Sequence, residues 1–250
     1  HLPVKLTVSW IWPCKVKKLF RKNNLGCKYA VSGAIDWFFD NVDQGIILED
    51  DCLPDQSFFR FCEELLEKYK TNKKIMSVCG TNLAKEFSEK KLKESYYFSK
   101  TVRIWGWATW RRVWKNYDVE AHAKSKFSTI FRNSSNPLEL ISNIKQFKSS
   151  KNKNMDTWDT QLNILIQNNK GLNIIPKNNI VKNLGFNLDS THTKENYWDK
   201  KFLNLEREHI SFPLVHPKKI KVNQKLENSF LKRDLKRILS KKLKLRRKHF

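Results

Sequence analysis

The segment 44–55 of the 250-residue chain is QGIILEDDCLPD, and the rest of the sequence can be arranged around it. The branched apolar run 46–48 follows a glycine and predicts a short strand that is buried on both faces. Three carboxylates, 49–51, come directly after it. Because adjacent buried anions need a counter-charge, we expect a positive partner here. Mg²⁺ or Mn²⁺ is the simplest candidate, since hard cations prefer carboxylate oxygen and take one or two such ligands beside substrate phosphates.

A solvated loop is the alternative interpretation of this acidic run. Two features favour a site instead. The run is followed by Pro54 and by a helix with Asp55 as its expected cap. It also lies at the carboxyl end of a strand, where open α/β sheets bind ligands. On these features alone, a metal and diphosphate site and a solvated loop both remain open.

Strands and helices alternate along the chain. The periodicity of apolar residues predicts helices at 27–40 and 57–70. Besides 46–48, the predicted strands are 15–20, 74–79, 96–99, 172–175 and 180–181. This alternation predicts an α/β domain at 1–200, with a largely parallel central sheet flanked by helices.

The segment 201–250 is expected to form a separate, basic amphipathic tail. The chain carries a net charge of +24, and residues 216–250 hold 14 Lys and Arg against 2 Asp and Glu, a net of +12. Five apolar residues of the tail fall on one helical face: Leu231, Leu235, Ile238, Leu239 and Leu243. Such a helix suits an anionic membrane surface, although a general lysine bias would produce the same pattern.

The sequence also disfavours several classes of protein. It contains no apolar run of about 18 residues and no secretory signal pattern, so we expect a cytoplasmic protein that is at most peripheral on the inner face of the membrane. The five cysteines include no Cys-x-x-Cys pair, which favours reduced thiols over a disulfide framework or a zinc site. Because no zinc-finger or helix-turn-helix signature accompanies the basic charge, no specific nucleic-acid partner is expected.

The tryptophan-rich segment 104–111, IWGWATWR, is the second informative stretch. Sugars stack their C–H faces on aromatic rings, and a glycine lets a ligand approach the backbone, so Trp105 and Gly106 are candidate acceptor contacts. Three further tryptophans have the spacing of one helical face, which favours a core role: Trp107, Trp110 and Trp114. Arg111 and Arg112 either meet phosphate or solvate the surface.

The segment 156–161, DTWDTQ, predicts the start of a helix. Asp156 is expected to be its N-cap, and Asp159 an acid that the helix dipole favours. The same position would let a carboxylate take the proton of an attacking hydroxyl, and Asp159 is the preferred candidate for that base.

The three segments 45–55, 104–111 and 156–159 resemble, in order, motifs of bacterial nucleotide-diphospho-sugar transferases similar to glycosyltransferase family 2, which have the GT-A fold. The resemblance covers roughly residues 12–193. It implies a GT-A, Rossmann-like domain and a divalent metal, Mn²⁺ or Mg²⁺, as the cofactor.

The resemblance also implies roles for individual residues. The acidic triplet is similar to a variant Asp-x-Asp motif, with Asp51 on the metal and with Glu49 and Asp50 near the ribose and sugar of the donor. Asn24 belongs to a segment that resembles the family's Asn-x-Gly turn, and His192 to one that resembles its flexible lid. Both are therefore candidate donor contacts.

The implied activity is the inverting transfer of a sugar from a nucleotide-diphospho-sugar to a hydroxyl of a saccharide or lipid-linked acceptor. Asp159 would be the base and Asp156 an acceptor contact. The first strand of a GT-A domain, whose loop holds the nucleotide base, is not recognisable in residues 1–14. The alternative is therefore an inactive, truncated remnant that acts as a membrane- or partner-binding module.

Overall fold

The structure is a computed structural model, and it describes residues 14–88, 92–121, 128, 133–150, 156–185, 205–233 and 235. Helices and strands alternate within these residues, which confirms the predicted α/β class. The elements in chain order are α1 (Gly26–Asn41), β1 (Gln44–Ile47), β2 (Cys52–Pro54), α2 (Gln56–Lys68), β3 (Ile75–Cys79), α3 (Lys85–Ser88), β4 (Tyr96–Ser99), β5 (Trp107–Trp110), α4 (Arg111–Trp114), α5 (Pro137–Ser150), α6 (Asp159–Asn168), β6 (Leu172–Pro176), β7 (Val181–Asn183) and α7 (224–233).

The main sheet has five strands in the order β1-β5-β3-β6-β4. In the described part of the chain, β3 and β6 pair in parallel, whereas the other three pairs are antiparallel. The predicted largely parallel sheet is therefore wrong, and the sheet is mixed. Two strands cause this: β5 lies between β1 and β3 and runs opposite to both, and the edge strand β4 runs opposite to β6.

The tryptophan-rich segment contains the strand β5, which the sequence analysis did not predict. Trp107 and Trp110 belong to β5, and Trp114 belongs to α4, so the three do not share one helix face. Both faces of β5 are buried, and a strand of this kind shows no alternation of polar and apolar residues. The core role predicted for the three tryptophans is confirmed, since each is at most 3% exposed.

The strand β1 differs from its prediction in position and burial. It ends at Ile47 and lies at one edge of the described five-stranded sheet, and its residues are half-buried. Leu48, predicted to be buried in the strand, is exposed. A second predicted strand, 15–20, is also absent, because residues 14–20 form no ladder with described residues. The acidic run 49–51 therefore follows an edge strand.

The helix α2 follows its sequence prediction closely. The Asp55 side chain accepts a hydrogen bond from the Ser57 backbone N–H at 2.9 Å, which confirms the expected N-cap. The apolar positions whose spacing predicts this helix are fully enclosed: Phe58, Phe61, Cys62 and Leu65 are 0% exposed. Local periodicity was sufficient here because one continuous face meets the sheet.

All five cysteines are free thiols, as the sequence predicted. Cys62 and Cys79 are buried in the core, and burial raises the pKa of both thiols. These two side chains therefore act as small apolar groups at neutral pH.

Residues 205–233, assigned by sequence to a separate tail, pack against the domain. Ile210 and Leu226 belong to the hydrophobic core, and Glu227 accepts a hydrogen bond from Ser99 Oγ at 2.7 Å. Leu231 is 5% exposed, so its assignment to a face free for a membrane is wrong. Leu235 of the same face is half-buried, and its last three residues, at 238, 239 and 243, lie outside the described residues. None of the described helices has the length and apolar character needed to cross a bilayer.

We expect Gly106→Ala to destabilise the fold. Gly106 has φ +65°, and a Cβ there would lie 2.8 Å from Val181 Cγ2, so strain and a clash together should cost about 1–3 kcal/mol. Gly33→Ala is the matched control, since Gly33 lies inside α1 and a Cβ there would meet the flexible end of Arg21. The control should stabilise the protein by up to about 1 kcal/mol. Urea unfolding measures the free energy of unfolding of both variants. Equal changes would contradict the left-handed, tightly packed position of Gly106.

Candidate functional site

The acidic turn consists of residues 49–51 and joins β1 to β2. It is closed by the backbone N–H of Cys52, which donates to the Glu49 carbonyl at 3.1 Å. The strand β2 then pairs with β7 in an antiparallel two-stranded sheet, in which Cys52 lies opposite Asn183. Thus β7, which comes much later in the chain, fixes the position of the acidic turn.

Asp51 is held by the end of β7. Its Oδ2 accepts a hydrogen bond from Asn183 Nδ2 at 3.2 Å, and its carbonyl accepts from the Leu184 N–H at 2.7 Å. A Cβ on Gly185 would lie 2.2 Å from Asp51 Oδ2, so a side chain at 185 would displace this carboxylate. Asp51 is therefore half-buried and fixed rather than directed freely into solvent.

Asn183 was not singled out by the sequence, although a signal for it was present. Its Oδ1 accepts a hydrogen bond from the Gly185 N–H at 2.8 Å, which forms an Asx turn. An Asn-x-Gly spacing after a predicted strand is typical of such a turn. The turn could therefore have been predicted, but its contact with Asp51 could not, because that contact joins distant parts of the chain.

The charged form of the Glu49 carboxylate is disfavoured by its surroundings in the turn. Its Oε1 is buried and has no hydrogen-bond partner among the described residues. Burial is the largest cause that raises the pKa of Glu49, from an ordinary 4.5 to about 7. The charges of Asp51, Asp159 and Asp50 raise the pKa further, in that order. Four carboxylates from two distant segments therefore share one electrostatic environment.

A tryptophan stack brings Asp159 to the acidic turn. Trp107 lies opposite Ile47 in the β1–β5 ladder, near the point where the turn begins. The ring of Trp107 stacks on that of Trp158 with a centroid distance of 5.6 Å and an interplanar angle of 22°. Trp158 directly precedes Asp159, which lies in the first turn of α6, as the sequence predicted. The stack therefore positions the candidate base.

Asp156 caps a different helix from the one predicted. The N-cap of α6 is Trp158, so the expectation that Asp156 caps its own helix is wrong. Its Oδ2 and Oδ1 instead accept hydrogen bonds from the backbone N–H groups of Cys27 and Lys28, at 2.9 and 2.8 Å. Asp156 thereby satisfies two of the first N–H groups of α1, where the helix dipole also favours an anion.

Asn24 lies beside this cap. Its Oδ1 accepts a hydrogen bond from the Gly26 N–H at 2.9 Å, so the predicted Asn-x-Gly turn is confirmed. Gly26 has φ +72°, and a Cβ there would lie 2.9 Å from Asp156 Oδ2. The structure therefore brings Asn24 and Asp156 together at the start of α1.

Trp105 and Gly106 lie next to the acidic turn. Trp105 is half-buried, and its carbonyl accepts a hydrogen bond from Thr81 Oγ1 at 2.7 Å. The space beside Gly106 is filled by the side chains of Val181 and Leu48. The side chains of the fold therefore occupy the space on the Cβ side of Gly106, and its contact with an acceptor stays a prediction. His192, the predicted lid residue, lies outside the described residues.

Binding of a metal ion at the acidic turn would depend on ligands other than the protein's side chains, such as phosphate and water. Among the described residues, no group of three or more His, Cys, Asp or Glu side chains is arranged to hold a metal ion. The orphaned Oε1 of Glu49 and the neighbouring carboxylates nevertheless leave negative charge uncompensated. The donor set fits a hard cation that takes one or two carboxylates and completes its shell with phosphate and water. It does not fit a site built by the protein alone.

No protein-family model matches the chain, and a comparison with curated proteins gave no match. The functional assignment therefore rests on the motifs and on the geometry of these residues.

We expect Glu49→Gln to remove a pH dependence of stability. The folded state holds a proton on Glu49 up to about pH 7, whereas the unfolded chain releases it near its ordinary pKa of 4.5. Between these values the folded state binds more protons, so the Glu49 contribution makes stability fall as pH rises. The variant should gain stability over the native protein at about pH 8 and little at about pH 4.5.

Chemical unfolding across this pH range provides the measurement. Glu63→Gln, at an exposed position on α2, removes the same charge outside the turn and should leave the pH profile unchanged. If the free energy of unfolding changes with pH in the same way for the native protein and Glu49→Gln, the raised pKa of Glu49 is contradicted.

We expect Asp156→Ala to destabilise the protein by about 1 kcal/mol, because two N–H groups at the start of α1 lose their acceptors. Asp40→Ala, at an exposed position in the last turn of the same helix, is the control and should change the free energy of unfolding by less than about 0.5 kcal/mol. Urea unfolding compares the two variants. Equal effects would contradict the capping role of Asp156.

Proposed function

We propose that this chain is a metal-dependent glycosyltransferase with a GT-A-like domain, which transfers a sugar from a nucleotide-diphospho-sugar to an acceptor hydroxyl. One observation carries the proposal: the stack of Trp107, which lies opposite Ile47, on Trp158 brings Asp159 from a distant segment to the acidic turn 49–51. The donor-side and base-side motifs of the resemblance are these same two segments. A solvated acidic loop would not need the hydrogen bonds that fix Asp51 to the end of β7, nor the stack of Trp107 on Trp158.

The acidic turn supplies the donor side of the proposed site. Asp51, fixed by Asn183, would hold the divalent cation together with the donor's diphosphate. Glu49 and Asp50 would face the ribose and sugar of the donor, with Asn24 and His192 as further donor contacts. A bound Mn²⁺ or Mg²⁺ would neutralise the charge that develops on the departing diphosphate.

Asp159 is the proposed general base. The acceptor oxygen would attack the anomeric carbon as the bond from that carbon to the diphosphate oxygen breaks. Asp159 would take the proton that the acceptor hydroxyl loses, and attack from the face opposite the leaving group would invert the anomeric configuration. Its place at the start of α6, locked by the Trp158 stack, gives this carboxylate the rigid support that a base needs.

The acceptor side would include Trp105, a half-buried residue two positions before Trp107, which lies opposite Ile47. The role of Gly106 would be to shape this wall through its left-handed backbone, and that of Asp156 to fix α1. The proposed partners are a saccharide or lipid-linked acceptor and, for a protein on the inner face of the membrane, anionic lipid.

The second candidate is a catalytically inactive module that binds a membrane or a protein partner. It is favoured by the lack of a complete metal-ligand group among the described residues. The two candidates differ in one property, because the inactive module has no use for a nucleotide diphosphate with a metal ion.

Calorimetric titration of the full chain with UDP, GDP, ADP, CDP and dTDP, each with and without Mn²⁺, tests the proposal. At least one nucleotide should bind in a metal-dependent manner, and Asp51→Asn should weaken that binding at least about tenfold while the circular dichroism spectrum stays the same. Asp159→Asn should keep the binding and lose the transfer of sugar to an acceptor.

Asp40→Asn is the matched control, since it removes one exposed carboxylate from α1 and should leave binding intact. If no nucleotide gives metal-dependent heat, the glycosyltransferase proposal fails and the inactive module is favoured. Unchanged binding in Asp51→Asn would exclude the acidic turn as the donor site.

A further inference from the structure

An open cavity lies at the opposite end of β1 from the acidic turn. It has a volume of about 290 Å³ and is lined by residues that follow α1 and α2, by the end of β5 and by α4. Four cationic side chains line it, Lys70, Arg111, Arg112 and Lys115, against the single carboxylate of Asp43. Positive charge is therefore concentrated at one recess, rather than spread evenly over the basic surface.

Arg112 is fixed in place by backbone carbonyls. Its Nε donates to the Lys70 carbonyl at 2.8 Å, and its Nη2 donates to the carbonyls of Tyr69 and Ile75 at 3.1 and 3.0 Å. The guanidinium also stacks on the ring of Trp110, with Cζ 4.3 Å from the ring centroid. No described residue accepts a hydrogen bond from Nη1, so one edge of a rigid guanidinium keeps its donors. Burial lowers the pKa of Arg112, which indicates a partly desolvated charge.

Arg111 is held in a similar way at the end of α1. Its Nε donates to the carbonyl of Val42 at 3.1 Å, and also to that of Phe39. Nη1 pairs with Asp43 at 3.0 Å, but the Asp43 side chain is 83% exposed, so this ion pair is weak. Nη2 has no acceptor among the described residues. Carbonyl oxygens accept hydrogen bonds without cancelling the formal charge, so both arginines remain cationic and keep free donors.

Capping of the helix ends explains the two arginines but not the two lysines. Lys115 has no side-chain hydrogen bond or ion pair within the described part of the chain, and Lys70 pairs with the exposed Glu67 at 3.5 Å. Both ammonium groups can therefore turn toward an anion in the cavity. A fork of guanidinium N–H groups with flexible ammonium groups matches the tetrahedral oxygens of phosphate.

A buried acceptor lies in the wall of the same cavity. Gln44, the first residue of β1, contributes to the lining, and its Oε1 is buried without a hydrogen-bond partner among the described residues. This oxygen is closed off from the cavity, so it is the four cations of the lining that favour an anion there.

We propose that this cavity is a binding site for a phosphate monoester or inorganic phosphate, distinct from the acidic turn at the other end of β1. Its source is either a soluble phosphorylated compound or the headgroup of an anionic lipid, which present the same chemistry. The site does not depend on glycosyl transfer, and its phosphate is not the donor diphosphate, because the four carboxylate groups lie beyond the opposite end of the strand.

Calorimetry of the full chain with inorganic phosphate, at ionic strength held constant with NaCl, tests the site. Lys70→Gln/Lys115→Gln removes two exposed cations without touching the carbonyl caps and should weaken phosphate binding at least about fivefold. Lys219→Gln/Lys221→Gln is the matched control. It removes the same charge at exposed positions next to Val222, which bridges to β4 at the opposite edge of the sheet. The control should bind as the native protein does.

A second arm identifies the source of the phosphate. Vesicles of phosphatidylcholine with and without phosphatidic acid are sedimented with each protein. Binding that requires phosphatidic acid and is competed by free phosphate assigns the site to a lipid headgroup, whereas phosphate binding without vesicle binding assigns it to a soluble ligand. The proposal is overturned if phosphate does not bind or if both double variants weaken equally. Binding of an oligonucleotide without binding of phosphate would overturn it in favour of a nucleic-acid surface.

Discussion

The stack of Trp107 on Trp158 is the contact on which the candidate site depends. It joins β5, which pairs with the strand that leads into the acidic turn, to the residue that precedes Asp159. Both rings are almost fully buried, so the stack combines hydrophobic burial with a defined ring geometry. Tyr117 supports the same position, since its Oη donates to the Trp158 carbonyl at 2.9 Å. Catalytic geometry is typically set in this way, by packing behind the reacting groups rather than by the groups themselves.

Opposite electrostatic environments lie at the two ends of β1. The carboxyl end carries the acidic turn, where mutual repulsion and burial raise the pKa of Glu49. The amino end carries a cavity lined by Lys70, Arg111, Arg112 and Lys115. Each end holds a buried oxygen without a partner among the described residues, on Glu49 and on Gln44. Such buried polar atoms also occur elsewhere in the described residues, for example Trp107 Nε1 and Gln161 Oε1, so the ligands proposed for the two ends rest on the charges there.

Elements that form one continuous apolar run or one apolar helix face could be predicted from sequence, including the fully buried strands β3, β4 and β6. The stripe of α2 and its Asp55 cap were correct, because helical periodicity and a local side-chain hydrogen bond are both encoded within a few residues. The strand β5 was missed because Trp107, Trp110 and Trp114 have helical spacing across the junction of β5 with α4. The sheet was expected to be largely parallel, but β5 runs opposite to both of its neighbours and β4 runs opposite to β6.

The sequence by itself determined the chemical types at the site: a run of carboxylates after a short apolar strand, an acid at the start of a helix, and turn residues at Asn24 and Gly26. These are local properties that depend on neighbouring residues. Only the tertiary structure decided which of these groups meet, that Asp156 caps α1, that Asn183 holds Asp51, and that Val181 fills the space beside Gly106. Each of these contacts joins segments that are far apart in the chain, and local sequence patterns do not specify the partners of such contacts.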